Sequence, residues 1–148
     1  MIYENEKDIA KACDCYFIAA EITKRDTNMW SQVLEMSEKL NLRKRQLYCL
    51  SRLIHLLPED TSFLEKRYQL WIEDNQPMKA VNDLLSICKI SNDVTKFIPV
   101  LYEYSIIVHR EEDVLTYLES QYAMMIARLS MFLPYNALFH SLSLPYHD

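Results

Sequence analysis

The segment DTNMWSQVLEMSEKLN, from Asp26 to Asn41, has a relative further along the same chain, DTSFLEKRYQLWIEDN, from Asp60 to Asn75. Asp26, Thr27 and Asn41 return 34 residues later as Asp60, Thr61 and Asn75, while Met29 and Trp30 are answered by Phe63 and Leu64. Trp30, Val33, Leu34 and Met36 keep helical spacing, as do Leu47, Leu50, Leu53, Ile54 and Leu57 after the turn. Asp26 or Thr27 can cap the first of these helices through a side-chain oxygen, and Asn41 tolerates the left-handed conformation that turns the chain into the second. Pro58 ends that second helix. The next unit repeats the plan, with Ser62 and Glu65 as a capping box, Asn75 at the turn and Pro77 at a first helical position. The unit is therefore helix, turn, helix.

Composition narrows the classes. The chain has 148 residues, half of them hydrophobic, enough for one folded unit with a sizeable core. It contains no glycine, where average usage would give roughly ten. Phosphate-cradling loops and dinucleotide folds need glycine for close backbone approach, and hairpin-rich β folds need it in tight turns, so a helical protein is what remains. A net charge of -5 argues against a general nucleic-acid or membrane-surface binder. Cys13, Cys15, Cys49 and Cys88 show no metal-ligand spacing and read as small buried hydrophobes in a reducing compartment. MIYENEKDI lacks a signal-peptide pattern, and the apolar run around AMMIARLSMFL holds Arg128 and is short for a membrane span. An intracellular, soluble protein is the expectation.

A helical hairpin of this period, with apolar and small residues at fixed places and a closing proline, resembles the tetratricopeptide repeat. Trp30, Val33 and Leu34 take the first cluster, Leu50 the later aromatic place, and Pro58 the closing one. In the following unit the places fall on Leu64, Tyr68, Trp71, Ala80 and Leu84, and one period before the Trp30 unit they fall on Tyr3, Ala12, Tyr16 and Ala19. Ser37 stands at the usual Tyr place and Gln46 at a usual Ala. The expected fold is all-α, a right-handed superhelical solenoid of antiparallel helix pairs. Residues 1-128 would form the array, with a partial first repeat at 1-24, repeats at 27-60 and 61-91, and a degenerate repeat at 94-128. In that last repeat, helices from Thr95 to Ile107 and from Asp113 to about Arg128 read as slipped in register by about three residues. Residues 129-148 form a C-terminal extension. Because the first unit would lack a cover for its apolar face, the sequence reads as part of a longer array.

Chemistry is thinly represented. His55, His109, His140 and His147 are scattered away from any nucleophile or metal arrangement and read as solvent or cap residues. Glu111, Glu112 and Asp113 read as a solvated helix boundary. No catalysis, cofactor, metal or small-molecule substrate is expected, with a helical enzyme domain the weakest alternative. Arg43, Lys44 and Arg45, near Lys24 and Arg25, form one basic run that reads as an exposed helix start, without the aromatic interleaving of single-strand binders. Sequence-specific nucleic-acid binding and membrane association are not expected.

Repeats of this kind bind partners along a surface lined by the first helix of each hairpin. Here that surface would present Asn28, Ser31, Gln32, Glu35, Glu38, Ser62, Glu65 and Gln69, a polar, acidic lining suited to a basic or amphipathic partner. The places where co-chaperone members hold a terminal carboxylate carry Ser31, Glu35, Glu65 and Gln69, which would repel one. The wording of MIYE, of IAAE at Ile18 to Glu21, of DT before Trp30, of LEMSE and of Q-x-x-YC-x-SR resembles the tetratricopeptide subunit of general transcription factor IIIC. The likeness thins from Thr61 to Tyr122 to positions such as Leu64, Arg67, Ala80, Phe97, Asp113 and Val114. The resemblance implies a nuclear scaffold in RNA polymerase III transcription, with subunits of transcription factors IIIC and IIIB as partners. A scaffold in another intracellular complex, of RNA processing or protein degradation, is the alternative.

Overall fold

The computed structural model describes residues 2-91 and 94-130. Among them are seven α-helices and no strand: α1 (Ile2–Thr23), α2 (Thr27–Lys39), α3 (Arg43–Leu56), α4 (Ser62–Glu73), α5 (Pro77–Ile90), α6 (Ile98–Ile107) and α7 (Glu111–Ser130). The chain divides into two compact units, residues 1-108 and 109-148. In the first unit each helix from α1 to α6 packs mainly on its neighbours in sequence. The second unit contains α7, and the expected C-terminal extension lies almost wholly outside the described residues.

The turns carry the repeat most clearly. After α2, the Leu42 N–H reaches back to the Ser37 carbonyl at 2.9 Å; after α4, the Gln76 N–H reaches the Trp71 carbonyl at 2.8 Å. Both are the long closing bonds of a Schellman motif, which requires a left-handed residue just before the donor. Asn41 and Asn75 supply it, at φ 56 and 55. His109 adopts the same conformation, φ 59, at the next 34-residue step. Beyond each turn the first helical bond repeats as well, from Gln46 to Leu42, Ala80 to Gln76 and Val114 to Arg110.

That third turn corrects the register of the last repeat. Leu101 and Ser105 of α6 are fully buried, at the unshifted places of Val33 and Ser37, so α6 shows no three-residue slip. The first repeat is corrected the other way. α1 is one continuous helix, and it buries Cys13 and Ala20 and packs Phe17 on the core, whereas Tyr16 is exposed. The frame at Ala12, Tyr16 and Ala19 is thus displaced by one residue to Cys13, Phe17 and Ala20. The connection explains it: one residue fewer separates Ala20 from Trp30 than separates Leu53 from Leu64.

Two further expectations change. α4 is not started by a Ser62–Glu65 capping box; Asp60 accepts both the Ser62 N–H, at 3.0 Å, and the Ser62 hydroxyl, at 2.6 Å. Asp26 does cap α2, accepting from the Asn28 and Met29 N–H groups. Of the cysteines, Cys13, Cys49 and Cys88 are buried and Cys15 is exposed, because the helical step that places Cys13 on the core turns Cys15 away from it.

The core explains the unusual residues at the repeat's Tyr and Ala places. Ser37 is fully buried and its hydroxyl donates to the Val33 carbonyl at 2.6 Å. The longer Gln46 side chain donates to the Ser37 carbonyl at 3.2 Å. A small residue on α2 thus makes room for a large one on α3, and the buried amide finds an acceptor. The unit after it carries Trp71 and Ala80 at these places, large then small. Trp30 is the largest fully buried side chain among the described residues. It meets Phe17 of α1 edge to face, with centroids 6.1 Å apart, and Tyr48 of α3 at 5.8 Å, while its indole N–H donates to the Lys24 carbonyl at 3.0 Å.

Candidate functional site

The eight residues expected to line a binding surface all lie on α2 or at the start and middle of α4, and none is buried. Asn28, Ser31, Glu35 and Glu38, at helical spacing, run along one side of α2 with Gln32 beside them. Ser62, Glu65 and Gln69 do the same on α4. The two rows are linked at one end. Glu38 of α2 accepts from the Lys66 ammonium of α4 at 3.1 Å. Both residues line a depression of about 240 Å³ with Gln69, Gln46, Leu50 and Leu70. Asn28, Ser31 and Gln32 lie toward the other end of α2, away from that depression.

The electrostatics differ from a bare acidic strip. Glu35 pairs with Lys39 at 3.6 Å, Glu38 with Lys66 at 3.1 Å, and Glu65 with Lys96 at 3.8 Å. The face therefore alternates in sign. These pairs are solvent-exposed, so each contributes little to stability and can exchange its partner for a ligand's charge at small cost.

A second cluster, which the sequence reading did not assemble, joins α1 to α3. Arg45 donates to Asp14 at 2.7 Å and to the Cys13 sulfur at 3.4 Å, and its guanidinium lies 4.9 Å from the centroid of the Phe17 ring. The Cys13 and Asp14 acceptors hold the Arg45 pKa above its ordinary value. One turn on, the Tyr48 hydroxyl donates to Glu21 and accepts from Arg52 at 3.1 Å. Arg45, Tyr48 and Arg52 form a stripe at helical spacing, which was the available signal. Arg43 pairs with Glu73 at 3.1 Å and Asp74 at 3.7 Å. Two members of the basic run are therefore tied to carboxylates, and the run is less a free patch than the sequence suggests.

The buried thiols are poor nucleophiles. Removal from water, reinforced by nearby Cys13, pushes the Cys49 pKa up to about 12, and burial raises that of Cys88. His109 occupies its left-handed turn and His55 the last turn of α3; His140 and His147 lie outside the described residues. Among the described residues no three His, Cys, Asp or Glu side chains gather as metal ligands, and no helix is long and apolar enough to cross a membrane.

No protein-family model matches this sequence. Two curated proteins are similar to parts of it. The transcription factor tau 131 kDa subunit of Saccharomyces cerevisiae is 27% identical over 81 residues, 55% of this chain. General transcription factor 3C polypeptide 3 of Homo sapiens is 30% identical over 71 residues, 48% of this chain. The chain spans 8% of the length of each of these relatives. About half of this chain is thus similar to transcription-factor subunits from yeast and human.

Proposed function

We propose that the chain is a tetratricopeptide-type solenoid that scaffolds protein assembly in RNA polymerase III transcription, as part of transcription factor IIIC in the nucleus. The observation that carries the reading is its similarity to transcription-factor subunits of two distant organisms. The 34-residue recurrence of the Asn41, Asn75 and His109 turns supports it, because helical hairpins of that period stack into binding solenoids. In this reading the chain performs no catalysis. The α2 and α4 face, with Glu35, Glu38, Glu65 and Gln69, receives a partner segment of mixed or basic charge from a subunit of transcription factor IIIC or IIIB. Affinity purification of the tagged full chain from nuclear extract at low salt tests this. Recovery of subunits of those two factors is the expected result. Recovery of an RNA-processing or protein-degradation complex in their place would overturn it.

A further inference from the structure

Part of the first unit's positive charge lies away from the basic run Arg43–Arg45. Lys24, Arg25 and Arg52 line a recess of about 510 Å³ together with Thr27, His55 and Leu56. Among the described residues, no ion pair joins Lys24, Arg25 or His55 to a carboxylate, whereas Arg43 and Arg45 are both paired. Two arginines, a lysine, a histidine and a threonine from the α1–α2 connection and α3 thus line one hollow. The floor also offers an apolar contact at Leu56.

The connection that carries two of these cations is fixed in advance. Lys24 sits at φ 61, its N–H donates to the Ala20 carbonyl at 2.8 Å, and its own carbonyl accepts from the buried Trp30 indole at 3.0 Å. The Arg25 N–H closes onto the Thr23 carbonyl at 2.7 Å. Arg52 is steadied by the Tyr48 hydroxyl, which in turn donates to Glu21. The nearest end of α2 is already satisfied by the Asp26 carboxylate. An anion here would therefore be read by side chains and not by helix N–H groups, and it would have to be strong enough to bind beside Asp26 and Glu21.

We propose that this recess binds a phosphorylated side chain, phosphoserine or phosphothreonine, of a partner protein. A phosphate dianion presents three acceptor oxygens, which two guanidinium groups and an ammonium can meet with short, charge-assisted hydrogen bonds. The chain as a whole carries a charge of -5, so a cationic hollow on it suits a compact anion. A nucleic-acid backbone would require a longer basic track. The site is independent of the α2 and α4 face and of the transcription reading.

The test is a nuclear magnetic resonance titration of the full chain with N-acetyl phosphoserine amide, N-acetyl serine amide and a short DNA duplex. Saturable shifts of the Lys24, Arg25, Thr27 and His55 amides with the phosphorylated probe, absent with the serine probe, are expected. Lys24→Asn with Arg25→Ser, chosen because Asn keeps the left-handed turn, should weaken that binding by at least about tenfold, the loss of one or more charge-assisted bonds. Arg52→Gln, which touches a different element, should weaken it as well, and Lys44→Ser should not. No saturable shift with the phosphorylated probe, equal binding by the folded variants, or saturation by DNA alone would each overturn the proposal.

Discussion

Arg67 of α4 grips Asp83 of α5 through two parallel hydrogen bonds, Nε to Oδ2 at 2.8 Å and Nη2 to Oδ1 at 2.7 Å. The Asp83 side chain is only 5% exposed and that of Arg67 21%, and a third bond runs from Arg67 Nη1 to the Ser51 hydroxyl of α3 at 3.1 Å. One period earlier the same two places hold Val33 and Cys49, both fully buried. One hairpin fills these places with apolar side chains and the next with a desolvated ion pair.

Breaking that pair from one side should be costly. Asp83→Ala leaves the Arg67 guanidinium without its carboxylate and should lower unfolding free energy by about 3 to 5 kcal/mol, measured by chemical denaturation. Arg67→Val together with Asp83→Cys, which copies the preceding hairpin, should recover most of the loss, since matched apolar replacement of a buried pair is often neutral. A double variant as unstable as the single one would show that the two hairpins do not share this packing.

Trp30 joins three helices and also holds the α1–α2 connection through its indole N–H. Trp30→Ala should cost about 3 to 5 kcal/mol, the range for a large buried aromatic. Trp30→Phe keeps the ring contacts with Phe17 and Tyr48 but leaves the Lys24 carbonyl without its donor, so it should cost less and increase amide exchange at Lys24 and Arg25. A loss below about 1 kcal/mol for Trp30→Ala would be that of a surface site and would contradict the packing.

The hairpins of α2 to α5 were legible because their marks are chemically distinctive: Asp26 as a cap, Asn41 and Asn75 as left-handed turn residues, and Pro77 at a helix start. The last unit was misread for a physical reason. α6, IPVLYEYSII, is apolar on nearly every side, so its pattern sets no unique phase. Its turn residue is His109, which adopts the left-handed region less often than Asn and gives a weaker signal. The first unit was misplaced because the short connection around Lys24 breaks the constant period. That these eight residues avoid the core was legible from helical spacing, but their charge pairing was not, since the lysines that meet Glu38 and Glu65 come from a neighbouring helix and a later loop.

The thiols should separate by location. In native protein Cys15 should react at once with a thiol-specific reagent, while Cys49 and Cys88 should react only as the chain unfolds. Because Cys49 titrates at about 12 when folded against 9.0 for an ordinary thiol, the unfolded chain loses that proton first as pH rises. Its contribution is fully present below pH 9.0 and is lost between there and about 12, by up to about 1.4 kcal/mol per pH unit. Denaturation midpoints followed from neutral to alkaline pH should fall in that window, and less steeply in Cys49→Ala.

The α2 and α4 face can be tested apart from the fold. Glu35→Lys with Glu65→Lys sets like charges against Lys39 and Lys96, yet these are exposed pairs, so stability should change by less than about 1 kcal/mol. If a partner of mixed or basic charge docks there, its association rate should drop sharply at low salt and the difference should shrink as salt is added. Adding Lys39→Glu and Lys96→Glu restores both ion pairs with their polarity exchanged. A partner that reads the position of the carboxylates should still bind poorly to this fourfold variant, whereas one affected only through local ion pairing should bind normally. Unchanged capture of transcription factor IIIC and IIIB subunits by the doubly reversed chain at low salt would rule the face out as their docking surface.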